Sequence, residues 1–361
     1  MKSLKTWQIA GLLGALAALV VIVKYGVSVF PSWVYLYDIA LNWQDPSGAP
    51  TMVPPADYLQ PNFSLAWIAG LFGFLTPSSF FVFHLLVTLV AVMLPFWMPR
   101  VRSQGRTARL VFILIVGSPV AAILVMWSNG YDALSVIGLT IGALAGRPWI
   151  SALGWLLVSF NHPHIGLLGF AGWAVVVLMR PMEIQRWWRL GLGALAVGTG
   201  WLTNELLMQA WGGYTSRSEW PELVGMGGYW GNLWPAMPIV LFGSAGIVWL
   251  ILLHPQVRNR PWAQVVMVQA IATPVIISGF TLDATRVSGL ILFAPLLAAV
   301  TAVASELDDD SCASMWRWWA MAAVIIPVPL VFSGALYHVG WTGFAELDSS
   351  LIPPDWYEPL P

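Results

Sequence analysis

Long apolar runs alternate with short polar interruptions along the whole chain. The runs fall at about 7–30, 79–98, 109–127, 132–146, 149–161, 165–179, 190–209, 234–253, 262–281, 287–304 and 318–337. A bilayer core of about 30 Å takes roughly 20 residues of helix to cross. Inside it every backbone polar group must be paired within the protein, which favours helix over irregular chain. The pattern predicts an all-α, polytopic membrane protein of about eleven transmembrane helices. The fourth and fifth runs are short enough to form a re-entrant pair, so the count is nine to eleven. Dropping both leaves every later run on the same side. One transmembrane domain then covers 1–361, with external segments at 31–78, 210–233 and 338–361. The first of these has room for interfacial helices.

Composition agrees with the pattern. The chain is 58% hydrophobic and 9% charged, where soluble domains carry about 25% charged residues. A net charge of −1 argues against nucleic acid as a partner. The single cysteine, Cys312, excludes an intrachain disulfide. The opening M-K-S-L-K-T-W and Ile9–Val23 resemble a signal peptide, but the apolar run is long and no small-residue cleavage site precedes Lys24. The segment reads as a retained first helix.

Basic residues set the orientation. Alternation of the helices puts Lys2, Lys5, Arg100, Arg102, Arg106, Arg109, Arg147, Arg180, Arg186, Arg189, Arg258, Arg260 and Arg317 on one side. Only Lys24, Arg217 and Arg286 fall on the other. The basic side is cytoplasmic by the usual bias, so the N-terminus is inside and the C-terminus outside. The implied location is the inner (cytoplasmic) membrane, multi-pass. Most of the acidic and histidine side chains then lie on the outer face, while Glu306–Asp310 forms a solvated cytoplasmic turn. Small residues at Gly142/Gly146, Gly166/Gly169/Gly172 and Gly243/Gly246 read as helix packing. Tryptophans near helix ends read as an interfacial belt.

Four outer-face stretches carry candidate chemistry. Tyr35–Trp67 holds Asp38, Asp45 and Asp57 among five prolines, so it is a poor candidate for burial in lipid. Asp38 and Asn42 share a helix face at i, i+4. A carboxylate beside low-dielectric surface acts as a base or binds a metal; otherwise it is a solvated loop residue or a cap. Asp57, with Tyr58 beside it, contacts substrate or caps a turn. In S-N-G-Y-D-A-L-S, Asp132 is an N-cap, a substrate contact or both. In F-N-H-P-H-I-G, His162 and His164 suit a divalent ion, phosphate oxygens or a proton relay, or else are interfacial histidines without a role. In L-D-A-T-R-V-S-G, Asp283 and Arg286 sit at i, i+3 and either pair or serve a site, arginine being suited to phosphate. Arg217 is the other outward cation of interest, and Lys24 reads as snorkelling from its helix end. Nucleotide loops, H-E-x-x-H and G-x-S-x-G are absent from the sequence, which argues against ATP-driven transport by this chain alone.

The layout resembles the integral-membrane glycosyltransferases of the GT-C fold, in particular the bacterial polyprenyl-phosphate-mannose-dependent mannosyltransferases. The matching residues are Y-D-I-A-L-N-W at Tyr37–Trp43, Y-L-Q-P-N at Tyr58–Asn62, and G-Y-D-A-L-S and N-H-P-H at the polar outer positions. The resemblance implies Asp38 as catalytic base, and arginine or histidine holding the donor phosphate. It also implies a polyprenyl-phosphate-linked sugar as donor and a glycan or lipid acceptor. Asn161 and His162 replace a basic residue common in that family, and no soluble C-terminal domain follows. The expected activity is a hexosyl- or pentosyltransferase of the cell envelope. Its substrate contacts would be Asp57, Tyr58, Asp132, His162, His164, Arg217, Asp283 and Arg286. Any divalent cation (Mg or Mn) would be held by Asp38, His162 and His164. The alternatives are a lipid or small-solute transporter or flippase, and a non-catalytic membrane subunit of a larger complex.

Overall fold

The computed structural model describes residues 5–27, 33–46, 62–126, 130–180, 184–211, 226–281, 283–306, 309–332 and 335–338. In chain order the helices are α1 Thr6–Tyr25, α2 Trp33–Leu41, α3 Ser64–Leu71, α4 Pro77–Trp97, α5 Pro99–Arg102, α6 Gly105–Gly117, α7 Pro119–Met126 and α8 Asp132–Leu144. They continue as α9 Pro148–Asn161, α10 Pro163–Leu178, α11 Ile184–Ala210, α12 Met226–Ala245, α13 Val248–Leu252, α14 Pro261–Ile277, α15 Ala284–Glu306 and α16 Asp309–Ile325. A short antiparallel hairpin follows, β1 Leu330–Phe332 against β2 Ala335–His338.

Among the described residues α1, α4 and α15 are long and apolar enough to cross a membrane, and the pair α6–α7, bent at its break, meets the same test as one broken span or a re-entrant loop. The outer surface demands lipid. α1 exposes Leu12, Leu16, Leu19 and Val23, and α4 exposes Val82, Leu86 and Val90. Each set repeats every three or four residues, so each forms one apolar stripe. Continuous stripes of this kind have no counterpart on a water-soluble monomer. The protein is a helical membrane protein.

The core centres on α15, where 19 of 23 residues are buried. A helix apolar on all sides belongs in the middle of a bundle, and α6, α8, α10, α12 and α14 surround it. Small residues permit the closest crossings. A methyl at Gly142 would strike the Trp155 ring, and one at Gly172 would strike Pro295. Gly166 is held as tightly, by Ser159, Gly169 meets only the end of the Leu139 side chain at 3.0 Å, and a methyl at Gly146 meets nothing within 4 Å.

The run at 109–127 is a broken helix. It bends by 58° between Gly117 and Pro119, because proline has no N–H and its ring clashes with the preceding turn. The freed carbonyls need donors. Ile247 N donates to the Gly117 carbonyl at 2.7 Å, and Lys24 Nζ donates to that of Val116 at 3.3 Å. Gly246, at φ +58°, provides the left-handed turn that presents Ile247. Lys24 therefore does not snorkel. It is 1% exposed and also donates to Ala323 at 2.6 Å and Ile326 at 2.7 Å, carbonyls at the end of α16.

Three boundaries depart from the hydropathy pattern. The run at 318–337 is not one helix: α16 begins at Asp309 and stops at Ile325, since Pro327 and Pro329 force the residues before them out of the helical region. The run at 234–253 breaks at Gly246 into α12 and α13, and α12 starts already at Met226. The stretch at 31–78, expected to be external, contains two helices among its described residues, α2 and α3. They cross at Gly70, where a methyl would meet the Ala40 carbonyl and Trp43 Cβ.

Candidate functional site

The densest polar cluster lies where α8 and α15 begin. Arg286, one turn into α15, sends Nε to Asp132 Oδ2 at 2.7 Å and Nη2 to Asp132 Oδ1 at 3.0 Å. Its Nη1 donates to Asp283 Oδ2 at 2.9 Å. The Arg286 and Asp132 side chains are 8% and 1% exposed. A bidentate fork of this kind is the strongest ion-pair geometry a protein offers. The i, i+3 pairing of Asp283 and Arg286 is present, and Asp132 joins it from across the bundle. Asp132 is not an N-cap. The capping position belongs to Tyr131, which makes no side-chain cap, and the Asp132 carboxylate is committed to Arg286.

Tyr131 links this triad to the first loop. Its ring lies under the Arg286 guanidinium, 5.0 Å from its centroid. The same ring belongs to a second apolar cluster with Tyr35, Leu36, Ile39 and Ala40 of α2, Phe63 and Ala66 from the start of α3, and Met208 of α11. Thus α2, which carries Asp38, and the charged triad flank one aromatic layer. Asn161 ties the ends of α8 and α9 together, donating to the Tyr131 carbonyl and Ser135 Oγ, both at 2.9 Å. Asn204 of α11 donates to the Phe160 carbonyl at 2.7 Å.

Asp38 is half-buried, and burial pushes its carboxyl above the ordinary carboxylate value, because a low-dielectric surrounding disfavours the charged form. Asn42 does share its face, but its amide folds back onto the Asp38 backbone carbonyl at 2.9 Å and not onto the carboxylate. Tyr37 anchors α2 by donating to the Leu75 carbonyl at 2.7 Å. Asp45 is exposed beyond the end of α2.

The two histidines separate. His162 is buried with its ring 5.9 Å from that of Tyr131, whereas His164 is exposed and faces Trp201 at 6.3 Å. Two residues apart at the start of a helix, they point to different sides, so they do not act as a pair. Among the described residues no three His, Cys, Asp or Glu side chains converge as metal ligands; the set Asp38, His162 and His164 is not assembled. Asp57, Tyr58 and Arg217 lie outside the described residues.

Tyr131, Asn161, Ser135 and Asn204 emerge here as supporting residues. Tyr131 stood beside Asp132 in the G-Y-D stretch, and Asn204 is a lone amide in an apolar helix; each was visible, but neither carried a partner in the sequence. No family model matches the chain, and no curated protein or solved structure matches it.

Proposed function

We propose that the protein is a membrane glycosyltransferase of GT-C type. It would transfer a hexose or pentose from a polyprenyl-phosphate donor to a glycan or lipid acceptor at the outer face of the inner membrane. The observation that carries this reading is the shared aromatic layer. Through Tyr131 it joins the helix of Asp38 to the buried Arg286–Asp132–Asp283 cluster.

Asp38 is the base. Its raised proton affinity suits removal of the acceptor hydroxyl proton. The acceptor oxygen then bonds to the anomeric carbon as the carbon–oxygen bond to phosphate breaks, and polyprenyl phosphate leaves with the electron pair. The triad has one positive and two negative groups, a formal charge of −1, so Arg286 is poorly disposed to hold that phosphate. Its work is to lock the start of α8 to α15. The phosphate falls instead to His162, beside Tyr131. The eleven-span topology, with the N-terminus inside and the C-terminus outside, belongs to the same proposal.

A transport role is less well supported. From Gly289 to Val300 α15 is apolar throughout, and every residue of that stretch is buried, so this helix offers no polar path between its ends. The test is transfer itself. Purified protein is incubated with polyprenyl-phosphate hexoses and pentoses and an acceptor extract, and products are read by mass spectrometry. Asp38→Asn is expected to abolish transfer while leaving the unfolding midpoint intact; full activity in that variant refutes the assignment of the base.

A further inference from the structure

The turn between α3 and α4 combines three features that do not belong together in water. Its side chains face outward: Leu71, Phe72 and Leu75 are exposed, Phe72 at 70%. It carries no charge, since from Tyr58 to Pro99 the sequence holds no Asp, Glu, Lys or Arg. Its backbone donors are all satisfied within the protein. Phe72 N donates to the Ile68 carbonyl at 3.1 Å, Gly73 N to that of Gly70 at 3.0 Å, Phe74 N to that of Ala69 at 2.9 Å and Leu75 N to that of Gly73 at 2.9 Å. Gly73, at φ +79°, permits so tight a closure. Thr76 N donates to Ser79 Oγ at 3.1 Å, and Pro77 has no N–H. A loop in water has no need of such complete pairing, whereas hydrocarbon requires it.

The depth of the turn follows from α4. Its 21 residues rise about 31 Å, about the thickness of a bilayer core, so Pro77 marks one face of the hydrocarbon. Along the helix axis Phe80 lies about 4.5 Å inside that face and Phe83 about 9 Å inside it. Phe80 belongs to one apolar cluster with Ala66 and Ala69 of α3. Phe74 of the turn stacks on Phe83, with ring centroids 4.7 Å apart. Thus α3 and the turn lie beside the first turns of α4, at bilayer depth, and not above them. Their exposed side chains continue the lipid-facing stripe that α4 presents through Val82, Leu86 and Val90.

We propose that α3 and the turn at Leu71–Leu75 form a re-entrant wedge embedded in one leaflet, the outer one in the proposed topology, with lipid acyl chains as its partner. This moves Phe63–Leu75 from the expected external segment into the bilayer. The wedge also carries α2. Tyr37 donates to the Leu75 carbonyl at 2.7 Å and Trp67 Nε1 to the Trp43 carbonyl at 2.7 Å, and the two helices cross at Gly70. Lipid contact on α3 therefore sets the height of Asp38 relative to the membrane surface. The wedge rests on helix geometry and not on the transfer reading, and it stands whether or not Asp38 is a base.

The experiment uses the full chain in phosphatidylcholine nanodiscs, which leave both membrane faces open to solutes. Cys312→Ser removes the single native cysteine, and Leu71→Cys, Phe72→Cys and Leu75→Cys are made separately in that background and spin-labelled. Leu86→Cys, on the lipid face of α4, and Asn259→Cys, exposed between α13 and α14, are the references. Power saturation reads collisions with oxygen, which concentrates in hydrocarbon, and with a water-soluble nickel chelate. The three turn positions should match Leu86, with oxygen collisions retained and nickel collisions lost relative to Asn259. Nickel access equal to that at Asn259 overturns the proposal, because the turn would then stand in water. Loss of both collision rates overturns it too, since protein, such as a second copy of the chain, would then cover the turn. Each labelled variant is first matched to the unfolding midpoint of its Cys312→Ser parent, and the positions that keep the fold decide.

Discussion

The ion triad yields a ranked prediction for its two carboxylates. Asp132→Asn keeps the shape of the side chain but removes its charge. Of the two bonds from Arg286, at 2.7 and 3.0 Å, one survives with a neutral acceptor, while the other becomes an NH₂ facing a guanidinium N–H. Loss of a charge-assisted bond costs about 1.5–3 kcal/mol, and an unsatisfied buried donor about 1–3 kcal/mol more. The sum, about 2.5–6 kcal/mol, brackets the penalty of about 3–5 kcal/mol for breaking a buried pair from one side. Asp283→Asn loses much less. It gives Arg286 one bond, at 2.9 Å, where Asp132 gives two, its side chain is the more exposed at 11%, and Asp132 still neutralises Arg286. About 1 kcal/mol is expected. Equilibrium unfolding in mixed micelles should rank Asp132→Asn well above Asp283→Asn. The double variant Asp132→Asn/Arg286→Gln should be less destabilised than the sum of the two singles, with a coupling of about 2 kcal/mol. Equal costs for the two aspartates, or additivity within about 0.5 kcal/mol, would refute a bidentate lock between α8 and α15.

Three further outcomes follow from other parts of the bundle. Lys24→Met strips donors from three buried carbonyls and should lower stability by about 3 kcal/mol in the same unfolding assay; an unchanged midpoint would mean that water satisfies the break at Pro119. Gly70→Ala should cost about 1–3 kcal/mol by forcing α2 away from α3, and transfer activity should fall more than stability because Asp38 rides on α2; a midpoint and an activity both unchanged would refute the close crossing. For Asp38 the folded state binds its proton more tightly than the unfolded chain does. Its contribution to stability is therefore full below the ordinary aspartate pKa and is lost as pH rises through the raised folded value. Asp38→Asn should remove that slope above about pH 4 without loss of stability at neutral pH, as followed by unfolding midpoints across pH; a slope that persists in the variant assigns it to another group.

What the sequence makes legible divides along physical lines. Apolar runs mark α1, α4 and α15 to within a few residues, since lipid rewards continuous hydrophobicity wherever the helix packs. Breaks are harder to see. Pro119 is plain in the sequence, yet apolar residues continue on both sides of it, and the bend depends on donors from Ile247 and Lys24 far along the chain. The same holds for Lys24, which looks like a snorkelling side chain until α6 and α16 bring their carbonyls to it. Asp132, Asp283 and Arg286 were candidates by type and by side of the membrane, and they do converge; the fork of Arg286 onto a residue 154 positions away is tertiary information. The histidines show the opposite failure. Adjacency in N-H-P-H suggested a pair, but a helix starting at Pro163 turns His162 inward and His164 outward.

The two ends of α15 handle buried cations in contrasting ways. At the Arg286 end, two carboxylates pair with one guanidinium, so Arg286 itself has no charge left over. At the other end Arg186 and Arg189 each donate to a backbone carbonyl at a helix terminus, which carries only partial charge. The apolar stretch between Gly289 and Val300 insulates one end from the other.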